Sequence, residues 1–206
     1  MAPPAIIERS DPDTVAAWLR GRLAALLQAT DGPVTITIPG GATPFPILER
    51  LLAEPLDWAR LVVWPNDDRL VPEDHVASNT GRMRALLAPT GGEVVTLSVM
   101  EQVPRFDLAW LGMGVDGHVA SLFPNTDPRA DDPAPIRQLT PDPLPPEAPF
   151  DRITLTLPTL LNSGEIVFVI SGPDKRRVLD EAIAGRSDLP VARLLKAARQ
   201  PVTCFT

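Results

Sequence analysis

A single cysteine, Cys204, stands among 206 residues. A lone thiol excludes an internal disulfide framework and suits a reducing compartment. No apolar run approaches the ~18 residues that a membrane span needs. The opening stretch, Met1 to Asp11, has no basic start and no long apolar segment. No signal peptide is therefore expected, and the cytoplasm is the expected location. Positive charge is also short: 19 Lys and Arg against 26 Asp and Glu leave a net charge of −7. Such a chain is poorly suited to nucleic acid, whose binding rests on basic patches. An anionic ligand would require positive charge gathered locally. The only lysines are Lys175 and Lys196, and the only histidines are His75 and His118.

Proline, by contrast, is abundant, at 25 residues, more than twice the usual share of ~5%. Hydrophobic residues make up 44% and charged residues 22%, ordinary values for a globular protein that exclude wholesale disorder. The length suits one domain over residues 1–206, with a core large enough to need no disulfide or metal staple.

Short β-branched runs alternate with helical patterns. Val15, Trp18, Leu19, Leu23, Leu26 and Leu27 share one face of a helix over 14–27, behind a Ser10/Asp11 start signal. Buried strands are predicted at 34–38 (VTITI), 61–64 (LVVW), 106–111 (FDLAWL) and 165–170 (EIVFVI). Shorter strands are predicted at 94–97 and 202–205, and an alternating one at 152–157 (RITLTL) near a sheet edge. Further helices are predicted at 44–52, 78–87 and 174–184. Strands alternating with helices predict an α/β fold with a mostly parallel sheet. Ligand sites in such sheets lie in the loops at the carboxyl ends of strands. The eight residues 98–105 are short for a parallel crossover, which usually takes a dozen or more. That link is either extended or no simple crossover. Residues 124–150 are too rich in proline for a helix. They form either a functional lid or a passive, stiffened excursion.

Four strand-following loops carry candidate chemistry. In the first, Gly40, Gly41, Ala42 and Thr43 lie between a strand and a helix. Adjacent glycines let the backbone approach a ligand, and the helix N-terminus offers an anion seat. No Gly-Lys-Ser/Thr follows, so this is not a Walker A loop. In the second, Asn66-Asp67-Asp68-Arg69 sets two carboxylates beside an arginine, either to meet a substrate or to close a surface turn. The third, Gly112-Met113-Gly114-Val115-Asp116-Gly117-His118, matches the dinucleotide pattern G-x-G-x-x-G. Pro124 stops any long helix soon after, and no acidic strand end lies about 20 residues on, so a nicotinamide-binding oxidoreductase is disfavoured. His118 is the notable residue there, because an unperturbed imidazole accepts a proton near neutral pH. The fourth is Ser171-Gly172-Pro173-Asp174-Lys175. A lysine in a first helical turn opposes the helix dipole, which hints at a site. Arg193 is a weaker candidate of the same charge, and His75 reads as a surface residue.

Taken together, six motifs in order resemble the glucosamine-6-phosphate isomerase/6-phosphogluconolactonase family. They are Gly40-Gly41-Ala42-Thr43-Pro44; Asp67-Asp68-Arg69-Leu70-Val71-Pro72 with Ser78-Asn79; Phe106-Asp107-Leu108 leading to the Gly112–Pro124 stretch; Arg152 to Pro158; Ser171-Gly172 with Lys175; and Leu189-Pro190 through Arg193. The resemblance runs from about Val34 to the C-terminus. It implies a Rossmann-like α/β fold, a mostly parallel sheet flanked by helices. It also implies hydrolysis of 6-phospho-glucono-1,5-lactone to 6-phosphogluconate, in the oxidative pentose phosphate pathway. No metal and no organic cofactor is implied. By position, His118 resembles the family's general base, and Gly40, Gly41, Ala42, Thr43, Asp67, Arg69, Lys175 and Arg193 resemble substrate contacts. Either Asp116 or Asp67 orients His118, and the sequence leaves that choice open. Four features depart from the family: Ala42 where serine is usual, Asp68 for glutamate, Asn66 for glycine, and the shortened 98–105 link.

No G-x-S-x-G elbow is present, which disfavours an acyl-enzyme route and favours direct attack by water. A deaminase or isomerase of the same fold carries an acidic residue shortly after Asp-Gly-His, where this chain has Ser121-Leu122-Phe123-Pro124-Asn125. A non-catalytic sugar-phosphate-binding protein is the remaining alternative. The expected partner is a small sugar-phosphate lactone, with no nucleic acid and no membrane, and the protein is expected as a monomer or homodimer.

Overall fold

The computed structural model describes residues 3–146 and 148–206. Met1 and Ala2, where the reading of the N-terminus begins, and Glu147, within the proline-rich stretch, lie outside them. In chain order the strands are β1 (Ala5–Ile7), β2 (Val34–Ile38), β3 (Leu61–Pro65), β4 (Asp67–Arg69), β5 (Glu93–Val94), β6 (Phe106–Leu111), β7 (Ile136–Leu139), β8 (Arg152–Leu155), β9 (Ser163–Val169) and β10 (Val202–Phe205). The α-helices are α1 (Pro12–Ala29), α2 (Pro44–Leu52), α3 (Asn79–Leu87), α4 (Leu157–Leu161), α5 (Pro173–Ile183) and α6 (Pro190–Ala197). No helix among the described residues is long and apolar enough to cross a membrane.

Seven strands form one sheet in the order β1-β10-β9-β6-β2-β3-β5, with every neighbouring pair parallel. A parallel sheet is stable when helices cover both faces, and two apolar clusters do so here. Leu19 and Leu23 of α1, Ile47 and Leu51 of α2 and Met83 of α3 pack on Ile36, Val63, Leu108 and Trp110. On the opposite face, Leu179 of α5 and Val191 and Leu194 of α6 pack on Ala109, Leu111, Ile166 and Phe168. The alternation Leu108/Ala109/Trp110/Leu111 sends successive β6 side chains to opposite clusters, as a pleated strand requires.

From β2 the chain builds outward through β3 to β5, then returns to place β6 on the other side of β2. The carboxyl ends of β2 and β6 therefore form a topological switch point, where open α/β sheets bind ligands. The glycine loop after β2 and the glycine turn after β6 both open there. The β5-to-β6 link is an extended crossover. Val95 N–H donates to Val63 O at 2.9 Å, Leu97 is buried, and Val103 packs on the same cluster. The predicted 94–97 strand keeps only Val94 paired, because the chain leaves the sheet edge after that bond.

One expectation is corrected. The 152–157 run is not near an edge. It ends as a strand at Leu155, and β8 is the fully buried middle strand of a second, antiparallel sheet, β4-β8-β7. The polar β4 and a strand within the proline-rich stretch flank it, and neither announces itself by hydrophobic pattern. The proline-rich stretch holds no α-helix among its described residues, as its composition predicts, but it contributes β7, which pairs with β8, and Arg152 donates to Ala148 O and Phe150 O at its far end.

Candidate active site

Strand β4 places Asp67 and Arg69 on one face and Asp68 on the other. The sequence reads Asp67 and Asp68 as two carboxylates beside Arg69, and the fold separates them. The buried Asp68 carboxylate accepts from Asn79 N at 2.6 Å, Thr80 N at 2.9 Å and Ser78 Oγ at 3.1 Å. It thereby satisfies the orphan donors at the start of α3, where Ser78 is the N-cap and accepts from Gly81 N at 3.0 Å.

That anchorage puts Asn79 against Arg69. Arg69 Nη1 donates to Asn79 Oδ1 and to Ala77 O, both at 3.0 Å, while Asn79 Nδ2 donates to Asp67 O at 3.0 Å. Gly40 faces the same amide: a Cβ there would fall 2.1 Å from Asn79 Nδ2. The glycine loop therefore approaches Arg69 as closely as it does because residue 40 has no side chain. Gly41 adopts φ +88°, in the left-handed region that glycine tolerates. Helix α2 begins directly after, with Pro44 in its first turn.

The second glycine run forms a tight turn with no helix after it. Gly114 N–H donates to His118 O at 3.0 Å and Gly117 N–H to Gly114 O at 3.1 Å. Next come an isolated Val119–Leu122 bridge and the 3₁₀ turn Pro124–Thr126. The dinucleotide reading lacks its long helix here. The turn presents His118 instead. His118 Nδ1 lies 2.6 Å from Asp116 Oδ1, and the His118 backbone N–H donates to the same oxygen at 3.2 Å. Burial pushes the Asp116 carboxyl up, but its hydrogen bond to His118 and the charge of that ring prevail and hold it below the usual carboxylate range. An ionised carboxylate only accepts, so when the ring is neutral the proton between them belongs on Nδ1 and Nε2 carries the lone pair. The ring packs on Phe123 at 4.8 Å between centroids.

Across the cavity, the Ser121 hydroxyl donates to Asp67 Oδ2. Burial raises the Asp67 carboxyl above its ordinary value, against the opposing effects of the Ser121 bond and the Arg69 charge. Lys175 reaches the same space from the first turn of α5, whose N-cap Gly172 has φ +95°.

A cavity of about 240 Å³ brings these groups together. Gly40, Gly41, Ala42, Thr43, Asp67, Arg69, His118 and Lys175 all line it. Of the two aspartates, Asp116 is the one in hydrogen-bond contact with the His118 ring. Asn79 also lines the cavity. Sequence reasoning left it and Ser121 out of the candidate site, although both stand in the motifs on which the resemblance rests. No group of three or more His, Cys, Asp and Glu side chains among the described residues is placed to hold a metal ion.

Arg193 is the exception among the expected substrate contacts. It is absent from the residues lining this cavity. Its guanidinium donates to Asp188 O at 3.0 Å, Asp188 Oδ2 at 2.8 Å, Asp127 Oδ1 at 2.5 Å and Pro128 O at 3.0 Å. Two carboxylates absorb the charge that the sequence assigns to substrate. His75 is a surface residue whose Nδ1 accepts from Ala77 N at 3.1 Å.

Comparison with known proteins converges on one group. The family model described as glucosamine-6-phosphate isomerases/6-phosphogluconolactonase matches residues 10–96 and 92–203. A 6-phosphogluconolactonase from Pseudomonas putida is 33% identical, over 91% of this chain and 88% of its own. One from Pseudomonas aeruginosa is 34% identical, over 89% and 86%. The crystal structure of 6-phosphogluconolactonase from Thermotoga maritima superposes with TM-score 0.79 at 27% identity, covering 97% of this chain and 96% of that one.

Proposed function

The chain belongs to the glucosamine-6-phosphate isomerase/6-phosphogluconolactonase family, and we propose from that premise how its site hydrolyses the sugar-phosphate lactone for which those relatives are named. The protein is a hydrolase that opens 6-phosphogluconolactone to 6-phosphogluconate. The observation that carries the mechanism is the 2.6 Å contact of Asp116 with His118 Nδ1 at the wall of a cavity that also holds Arg69 and Lys175.

The phosphate of the substrate binds between the Gly40–Thr43 loop, Arg69 and Lys175. Backbone amides of the Gly40–Thr43 loop and two cations, all lining the cavity, suit a dianion. Ala42 contributes no hydroxyl, so the backbone and the two cations do this work. The lactone ring then lies toward His118.

With Nδ1–H held by Asp116, Nε2 takes a proton from water as the water oxygen bonds to C1. The carbonyl π pair moves onto the carbonyl oxygen, giving a tetrahedral anion. Its collapse reforms the carbonyl and breaks the bond from C1 to the ring oxygen. The departing alkoxide takes the proton back from the imidazolium, and the new carboxyl group ionises to solvent. Asp116 stabilises the imidazolium between the two transfers. Asp67, opposite, contacts substrate hydroxyl groups.

The test generates the lactone in situ with glucose-6-phosphate dehydrogenase and follows its decay. Decay faster with the protein than by spontaneous hydrolysis is expected. An unchanged decay, with binding of 6-phosphogluconate retained, would mean a non-catalytic sugar-phosphate-binding protein.

A further inference from the structure

Two supports converge on His118 from outside the cavity. The first is helix α6. Gly117, at φ +78° in the turn that presents His118, has its carbonyl bonded by Val191 N–H at 3.1 Å. Leu189 fills the space beside it, so that a Cβ on Gly117 would fall 2.8 Å from Leu189 Cβ. The second is Phe123, which packs on the imidazole itself and leads through the turn Pro124–Thr126 to Asp127.

Arg193 joins these two supports. Its Nη1 holds Asp127 Oδ1 and Pro128 O on the Phe123 side. Its Nε and Nη2 hold the carbonyl and carboxylate of Asp188, the residue before Leu189, on the α6 side. All three guanidinium nitrogens are thus engaged in a forked geometry that a lysine does not reproduce. The N-cap of α6, Leu189, provides no side-chain capping bond; the chain entering the helix is held by the grip on Asp188 together with the bond from Leu189 N–H to Ser187 Oγ at 3.2 Å. Asp127 sits at φ +45°, a conformation disfavoured for a residue other than glycine, and accepts this bond there.

We propose that Arg193 is a positioning residue for lactone hydrolysis, clamping the Asp127 and Asp188 segments so that the backbone and ring supports of His118 stay in register. It touches neither substrate nor reacting atoms. Resting on the reading of His118 as the base, the proposal gives the 127–128 end of the proline-rich stretch a role: it is the far jaw of the clamp. A small misplacement of a catalytic group lowers the rate more than it lowers binding.

The experiment measures kcat and KM separately for wild type, Arg193→Met, Arg193→Lys and Asp127→Asn. Arg193→Met is expected to lower kcat about tenfold or more with KM within twofold. Arg193→Lys recovers only part of the loss, because an ammonium cannot bridge both segments. Asp127→Asn, exposed and close in size, lowers kcat in the same sense while folding normally, and combining it with Arg193→Met adds little. A raised KM at unchanged kcat for Arg193→Met would overturn the proposal and return Arg193 to the substrate contacts. Wild-type kcat in Asp127→Asn, or in folded Arg193→Met, would overturn it as well. Failure of the functional reading is separate: it shows as no turnover by the wild-type protein.

Discussion

Asp116 Oδ1 lies 2.6 Å from His118 Nδ1, the two residues being separated by a single glycine. In the proposed mechanism the carboxylate fixes the tautomer that leaves Nε2 free and compensates the charge that the ring gains. Asp116→Asn keeps the size but offers an amide that can turn its NH₂ to the ring, favouring the wrong tautomer. We expect kcat to fall by up to about 10⁴-fold with KM little changed, as the corresponding Asp-to-Asn substitution does in a catalytic triad. Steady-state kinetics with the lactone checks it.

Asp67 supplies a pH prediction. Burial raises its carboxyl pKa in the fold, so the folded state binds its proton more tightly than the unfolded chain does. Above the raised folded value the ionised carboxyl opposes folding. That penalty shrinks as the pH falls through the raised folded value and is gone below the ordinary carboxylate value. Asp67→Asn removes the charge and keeps an acceptor for Ser121. The variant is expected to melt above wild type near pH 8, with the difference narrowing as the pH falls, while losing activity. Melting curves across pH decide this.

Lys175 is read as a phosphate contact from the first turn of α5. Charge-assisted hydrogen bonds of this kind are worth about 1.5–3 kcal/mol. Lys175→Met should therefore raise KM roughly 10- to 100-fold, with kcat altered far less. Added salt should narrow the gap between variant and wild type. Equal losses in kcat alone would place Lys175 at the reacting carbon instead.

Gly40 and Asn79 occupy mutually exclusive space once residue 40 carries a Cβ. Gly40→Ala is expected to displace the Asn79 amide from Arg69 and Asp67, raising KM severalfold. Asn79→Ala should do the same by removing the brace directly. The double variant should be no worse than the sum of the two and is expected to fall short of it. Measuring all three KM values tests the coupling.

The buried strands β2, β3, β6 and β9 and the helix α1 are legible in the sequence because hydrophobic runs and the 3.6-residue period report burial directly. Strand β4 is not, since Asp67-Asp68-Arg69 is polar throughout and gains strand geometry only from pairing with β8, some 85 residues on in the register Asp68 with Ile153. Strand β7 (IRQL) is too short and too hemmed by prolines to show an alternating pattern, and α6 stands in the sequence as a motif rather than as a helical period. The turn that carries His118 and the glycine loop are legible because glycine, histidine and aspartate at a strand end have few local alternatives. Arg193 was not, because its partner Asp127 lies 66 residues away and charge alone does not reveal a distant pairing. Asn79 acts through Arg69, and nothing local to its own sequence position announces that.

The most direct measurement is the kcat of folded His118→Asn for 6-phosphogluconolactone, corrected for spontaneous hydrolysis. Loss of a general base is expected to lower it by about 10²- to 10⁴-fold, with KM nearly unchanged because the phosphate seat is intact. A folded His118→Asn protein that turns over the lactone at the wild-type rate would contradict the assignment of His118 as the base.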